Sequence, residues 1–182
     1  MRWFGFDSIF SPARLLIALQ AMNPTRLFAI LLLVSLVSCQ SKSAFDYSEA
    51  IVRMERELSA DIAEADQKLL AYMDAKKSDS AVMMSRHMEA LAEDKLNEVE
   101  KMKAPPVNEG DNFKKSAVRY FTYIKSIYSA FRKFTMAASD AEKEKERKKL
   151  VKIIGAKNEI TKDMQEAQRR FAAANNFLID KK

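Results

Sequence analysis

Hydrophobic residues between positions 46 and 182 recur every three or four places in four stretches, which predicts four amphipathic helices. The first opens at Asp46-Tyr47-Ser48-Glu49, the spacing of a capping box, with an acceptor at the cap and a carboxylate three positions on. From there to about Lys77, residues Ile51, Met54, Leu58, Ile62, Ala65, Leu69 and Tyr72 form one apolar face. Lys77-Ser78-Asp79-Ser80 offers a turn and a new cap, and a second helix follows to about Lys103. Its stripe is Ala81, Met84, Met88, Leu91, Val99 and Met102, a methionine-rich face that packs adaptably.

Pro105-Pro106 breaks the pattern, because neither nitrogen can donate a hydrogen bond and Pro106 drives Pro105 out of helical geometry. Asp111 or Asn112 can cap the third helix, Phe113 to about Ala138. This helix carries Phe113, Tyr120, Phe121, Tyr123, Tyr128, Phe131 and Phe134 on an arc wider than the ~100° of an ordinary amphipathic face. Such a helix is either the most buried one or has face to spare for a partner. Ser139-Asp140-Ala141-Glu142 repeats the capping-box spacing and opens the fourth helix, read to about Ile179. Leu150, Ile153, Ile160, Met164, Ala167, Phe171, Ala174 and Leu178 lie close to a seven-residue repeat along it. Its first turns, Glu142 to Lys149, are all charged and project past the core.

Four long helices with short connections favour antiparallel neighbours, so the expected fold is all-α, an antiparallel up-down-up-down four-helix bundle. Beyond Cys39 the only helix breakers are Gly110, Gly155, Pro105 and Pro106, in keeping with long uninterrupted helices.

Ahead of the bundle lies a different kind of segment. Leu27 to Val37 is apolar except for Ser35, the length of a signal-peptide hydrophobic region and short of the roughly 20 residues that span a bilayer. Met22-Asn23-Pro24-Thr25-Arg26 precedes it and Leu36-Val37-Ser38-Cys39 ends it. The last four residues resemble the lipobox of bacterial lipoproteins and contain the only cysteine. That resemblance implies a thiol alkylated by diacylglycerol, cleavage before Cys39 and acylation of the new amino group, with palmitate-type chains holding the protein to a membrane. The expected organisation is a signal peptide over 22–38, a lipid-anchored tether over 39–45 and the bundle domain over 46–182. Residues 1–21, with Trp3, Phe4, Phe6 and Phe10, precede an already complete signal and read as an extended leader or as sequence upstream of a start at Met22. Gln40 is not the aspartate that favours inner-membrane retention, so the expected location is the outer membrane, with the periplasmic or surface face left open.

The full chain carries a net charge of +6, and three of its 31 Lys and Arg and one of its 25 Asp and Glu precede Cys39, leaving +4 after it. A mild excess with interleaved signs describes a solvated surface and gives no reason to expect nucleic acid as a partner. With Cys39 lipidated no thiol remains for a disulfide, so stability rests on packing.

Further positions resemble a family of bacterial surface lipoproteins of leptospires and Bacteroidetes. They are Asp46-Tyr47 with Ile51, Lys101-Met102 leading through Gly110-Asp111 to Phe113, Tyr123-Ile124-Lys125-Ser126-Ile127, and Phe171-Ala172-Ala173-Ala174-Asn175-Asn176-Phe177. The resemblance implies a helical, lipid-anchored envelope protein and brings no reaction or catalytic residues with it.

His87 is the only histidine, which removes di-iron sites built on two Glu-x-x-His units and zinc sites of the His-Glu-x-x-His type. No haem-attachment motif, phosphate-binding glycine loop or nucleophile with a histidine base is evident, so no enzymatic activity and no cofactor are expected. Met84 and Met88 stack on one helical face with His87 beside them, a soft ligand set suited to cuprous copper or, as Met and His, to haem. The plainer reading puts Met84 and Met88 in the core and leaves His87 half-exposed. Lys148 and Lys149 are candidate contacts for an acidic partner or anionic head groups, against a merely solvated helix surface. Phe121 and Tyr123 are candidate partner contacts if exposed. The expected role is structural or protein-interacting at the envelope. The alternative is a carrier for copper, haem or an apolar molecule, which an apolar cavity near Tyr120 and Phe131 would favour.

Overall fold

The computed structural model describes residues 24–179, with side chains from residue 42 onward. The leader 1–21 lies outside the described residues, and so do the side chains of the signal segment 22–38 and of Cys39. Every regular element among the described residues is an α-helix: α1 (Pro24–Asp74), α2 (Ser78–Lys101), α3 (Gly110–Met136), α4 (Asp140–Gly155) and α5 (Lys157–Ala174). None is long and apolar enough to cross a membrane.

α1 runs straight through the capping box expected to start it. No glycine or proline stands between Pro24 and Asp74, so nothing stops the helix from propagating backwards. Residues expected in a polar tether accordingly join the packing: Ala44 is fully buried, and the Phe45 ring meets Phe177 at 5.7 Å. α1 ends at Asp74, and just beyond it Lys76 turns the chain with a left-handed φ of 54° while the Lys77 N–H donates to the Tyr72 carbonyl at 2.8 Å.

α2 buries Ala81, Ser85, Met88, Ala92, Leu96 and Val99, a line shifted one residue from the expected stripe at two places. Small residues at 81, 85 and 92 let neighbouring helices approach closely, while Met84 and Leu91 flank the line half-buried. Ser85 satisfies its hydroxyl on the Ala81 carbonyl at 2.7 Å. In the connection to α3, Glu109 rather than Asp111 or Asn112 takes the cap position, with φ 64°. Gly110 follows because a Cβ there would lie 2.7 Å from the Pro105 carbonyl oxygen.

The expected fourth helix is divided at Ala156 into α4 and α5, and it ends earlier than its periodicity suggests. Ser139 caps α4 by accepting from the Glu142 N–H at 3.2 Å, while the Glu142 carboxylate accepts from the Ala138 N–H at 3.1 Å. At the far end Asn176 adopts a left-handed φ of 58° and the Phe177 N–H donates back to the Ala172 carbonyl. Phe177 folds onto Phe171 at 5.7 Å, and Leu178, expected on the stripe, is 93% exposed.

Helix pairs are legible from their contacts. α2 and α3 meet in opposite sequence order, with Glu89 against Arg132, Glu93 against Lys125 and the Lys114 ammonium on the carbonyls of Glu100 and Met102. α3 and α5 do the same, with Arg119 bridging Glu159 and Asp163 and Phe113 stacked on Phe171 at 5.2 Å. α1 and α3 meet in the same order, Tyr47 against Phe113 and Asp66 against Tyr128. These exposed ion pairs contribute little individually. The fold is held by Ile51, Met54, Leu58, Met88, Val99, Phe113, Phe121 and Phe171, whose large buried side chains contribute roughly 1.5–3 kcal/mol each.

Candidate functional site

α3 carries more apolar arc than its neighbours cover. α4 is the reason: its first turns are charged, and Leu150 is its only buried residue, so it has little apolar face to close against α1. Between α1, α3 and the α4–α5 pair a groove of about 420 Å³ is left open. α1 contributes Ile62, Leu69, Leu70 and Met73; α3 contributes Tyr120, Tyr123, Ile124, Ile127, Tyr128 and Phe131; Leu150 and Ile154 come from α4. Leu70, 68% exposed, and Ile154, 48% exposed, form the two lips. Singly exposed apolar residues are ordinary on a protein surface; here two of them border one concavity.

The polar groups of the groove are few and placed along a gradient. Ser59, Tyr120, Tyr123 and Thr161 occupy one end, whereas Leu70, Met73, Phe131 and Leu150 occupy the other. Between them, Tyr128 donates its hydroxyl hydrogen to Asp66 at 3.1 Å. The Tyr120 hydroxyl lies 3.5 Å from Glu55, which also accepts from Ser59 at 3.0 Å. Tyr123 is 5% exposed, yet its hydroxyl has no hydrogen-bond partner among the described residues. Lys157 lies on the rim without an ion pair among the described residues.

Burial sets the chemistry of the phenols. It pushes Tyr120 up to about 12, with the Glu55 charge adding to the effect. Tyr128 is raised by burial and then by the Asp66 carboxylate, and Tyr123 by burial. All three are neutral at physiological pH, a poor set for nucleophilic or general-base work, and Tyr120 and Tyr128 already donate to Glu55 and Asp66.

The residues singled out from the sequence fall in different places. Met88 sits in the core, Met84 is half-buried and His87 is exposed, so the structure divides the thioether and imidazole set between interior and surface. No group of three or more His, Cys, Asp or Glu able to hold a metal occurs among the described residues. Phe121 is fully buried beside Tyr120, with ring centroids 5.4 Å apart, and presents nothing to a partner. Tyr123 is withdrawn from the outer surface and lines the groove instead. Lys148 and Lys149 are exposed, the first 3.7 Å from Glu144 and the second 2.6 Å from Glu146. Glu146 is held below its usual range by that Lys149 contact, although its second carboxylate oxygen is buried without a partner.

Sequence reasoning did not single out Asp66, Leu70, Ile154 or Lys157, because each looks like an ordinary surface residue of its own helix. The usable signal was the width of the aromatic arc on α3. Comparison with protein-family models, curated proteins and solved structures finds no match to this chain.

Proposed function

We propose that the protein is a lipid-anchored carrier of the bacterial envelope that holds an apolar molecule in the groove between α1, α3 and the α4–α5 pair. The observation that carries this reading is the groove itself: about 420 Å³, walled mostly by aliphatic and aromatic side chains. That volume falls in the roughly 300–1,000 Å³ range of small-molecule sites, and the composition matches theirs. It favours the carrier over copper or haem at Met84, His87 and Met88, which lie elsewhere.

The anchor rests on Leu36-Val37-Ser38-Cys39 and the short apolar run before it, with residues 22–38 removed as a signal and Gln40 directing the product to the outer membrane. Likeness to the bacterial surface lipoproteins supports the same placement. The reading further takes the helices as an up-down-up-down bundle, which the opposite sequence order of the α2–α3 and α3–α5 contacts supports, together with the matching order of α1 and α3. In that arrangement α1 and α3 are diagonal, and a groove reaching α3 forms where α1 and α4 part.

A protein partner is the second reading. Val151, 56% exposed on α4 next to the lip residue Ile154, favours it by extending apolar surface outside the groove.

The test uses N-phenylnaphthylamine, a neutral probe whose fluorescence rises in apolar surroundings. Saturable binding with one site per chain is expected, abolished by Ile127→Trp, which fills the groove, with the helical circular dichroism retained. Probe fluorescence that fails to saturate, or that Ile127→Trp leaves unchanged, overturns the carrier reading.

A further inference from the structure

Phe45, Phe177 and Leu178 gather at one end of the bundle, and the groove makes no use of them. The Phe45 ring meets Phe177 edge-on at 5.7 Å, and Phe177 rests on Phe171 at the same distance. Phe171 stacks on Phe113, so the outer rings are continuous with the core. The chain after α5 is pinned on the same side: the Phe177 N–H donates to the Ala172 carbonyl at 3.1 Å, and the Asn175 amide donates at 2.9 Å to Asn108 in the α2–α3 connection. Even so, Phe45 stays 41% exposed and Leu178 93%.

Singly exposed apolar residues need no explanation, but the place of these in the chain supplies one. Phe45 comes six residues after Cys39, and six residues reach at most about 21 Å in any backbone conformation. An acylated Cys39 therefore keeps this end of the bundle beside the lipid. The lip residue Leu70, also exposed, lies 25 residues further along α1 than Phe45, about 38 Å at the helical rise. Lys42 and Asp46, the exposed charges that flank Phe45 in sequence, cancel each other, so a contact made here is apolar and does not call for anionic head groups.

We infer that the bundle stands on the membrane by this end, with Phe45, Phe177 and Leu178 entering the boundary between head groups and acyl chains and Leu70 held away from the lipid. This rests on the anchor reading above and adds an orientation to it. Side chains seated at that boundary go about 5–10 Å deep. Ser59, the α1 residue of the groove nearest this end, is about 21 Å along the helix from Phe45, so the groove stays clear of the bilayer and loads from water.

The experiment places single indoles in the full chain, lipidated in a bacterial host and reconstituted into phosphatidylcholine vesicles that carry bromine on the upper part of their acyl chains. Trp3, the only tryptophan, is removed by Trp3→Phe, and Leu178→Trp is compared with Leu70→Trp, both at exposed sites. On vesicles Leu178→Trp is expected to emit at shorter wavelength and to be quenched severalfold more than Leu70→Trp, with no change when salt is raised. Labelled palmitate in the protein with both indoles unquenched overturns the orientation and leaves the anchor standing. Equal strong quenching lays the bundle flat and overturns it too. A blue-shifted indole at 178 that bromine does not reach assigns this end to a second copy of the chain, again overturning it. Absence of palmitate from the protein overturns the anchor and the orientation together.

Discussion

Tyr128 on α3 donates to Asp66 on α1 at 3.1 Å, tying the two helices together beneath the groove. The phenol is raised by burial and by that carboxylate, and Tyr120 is raised to about 12. Below pH 10 the folded and unfolded chains both keep these protons, so the contribution to stability is constant. Above about pH 10 the unfolded phenols ionise while the folded ones do not, the folded state binds more protons, and stability falls as pH rises toward the folded values. Urea unfolding between pH 8 and 12 should therefore show a decline that starts near pH 10. Tyr128→Phe should make that decline shallower while costing about 1 kcal/mol at neutral pH. A slope unchanged by the substitution would remove Tyr128 from the account.

Tyr123 predicts the opposite sign at neutral pH. Its hydroxyl is buried without a partner, so deleting it relieves a desolvation penalty. Tyr123→Phe should raise the stability of the ligand-free protein by about 1 kcal/mol, read as a higher urea midpoint with an unchanged m-value. A lower midpoint would mean that the hydroxyl is satisfied in solution.

The two described glycines of the bundle should respond in opposite directions to alanine. At Gly110 a Cβ meets the Pro105 carbonyl oxygen at 2.7 Å, and backbone cannot rotate away, so Gly110→Ala should cost about 1–3 kcal/mol. At Gly155 nothing lies within 4 Å, and alanine at the end of α4 should add about 0.5–1 kcal/mol through helix propensity. Thermal unfolding of the two variants checks the pair.

The proposed anchor is tested independently of the bundle. Labelled palmitate should enter the protein in a bacterial host, and Cys39→Ala should abolish both the label and membrane retention, since the proposed anchor places every acyl chain on that one residue. Retention of Cys39→Ala on the membrane would place the attachment elsewhere.

Much of the bundle was legible as period: Ile51, Met54, Leu58, Leu69 and Phe113 are core in the structure as in the pattern. The errors came where periodicity meets backbone chemistry. Leu178 continues the seven-residue repeat, but Asn175 and Asn176 end the helix first, the Asn175 amide donating to the carbonyls of Phe171 and Asn108. On α2 the pattern favoured Met84 and Leu91 by size, while the close line runs through Ser85 and Ala92, which no hydrophobicity count would select. The groove was only partly visible. The aromatic arc of α3 announced surplus face, but whether a neighbour covers it depends on α4, whose charged start leaves the gap. Which distant residues border that gap is a tertiary fact, and so Asp66, Leu70 and Lys157 carried no local sign.

Uptake of an apolar molecule by the groove, and by no other part of the bundle, is open to one direct measurement. Isotope-labelled isoleucine methyl groups report on it directly, because Ile62, Ile124, Ile127 and Ile154 line the groove while Ile51 is packed away from it in the core. Titration with N-phenylnaphthylamine should shift the methyl resonances of those four residues saturably and leave Ile51 unmoved. Shifts absent from the four, or shared equally by Ile51, would contradict it.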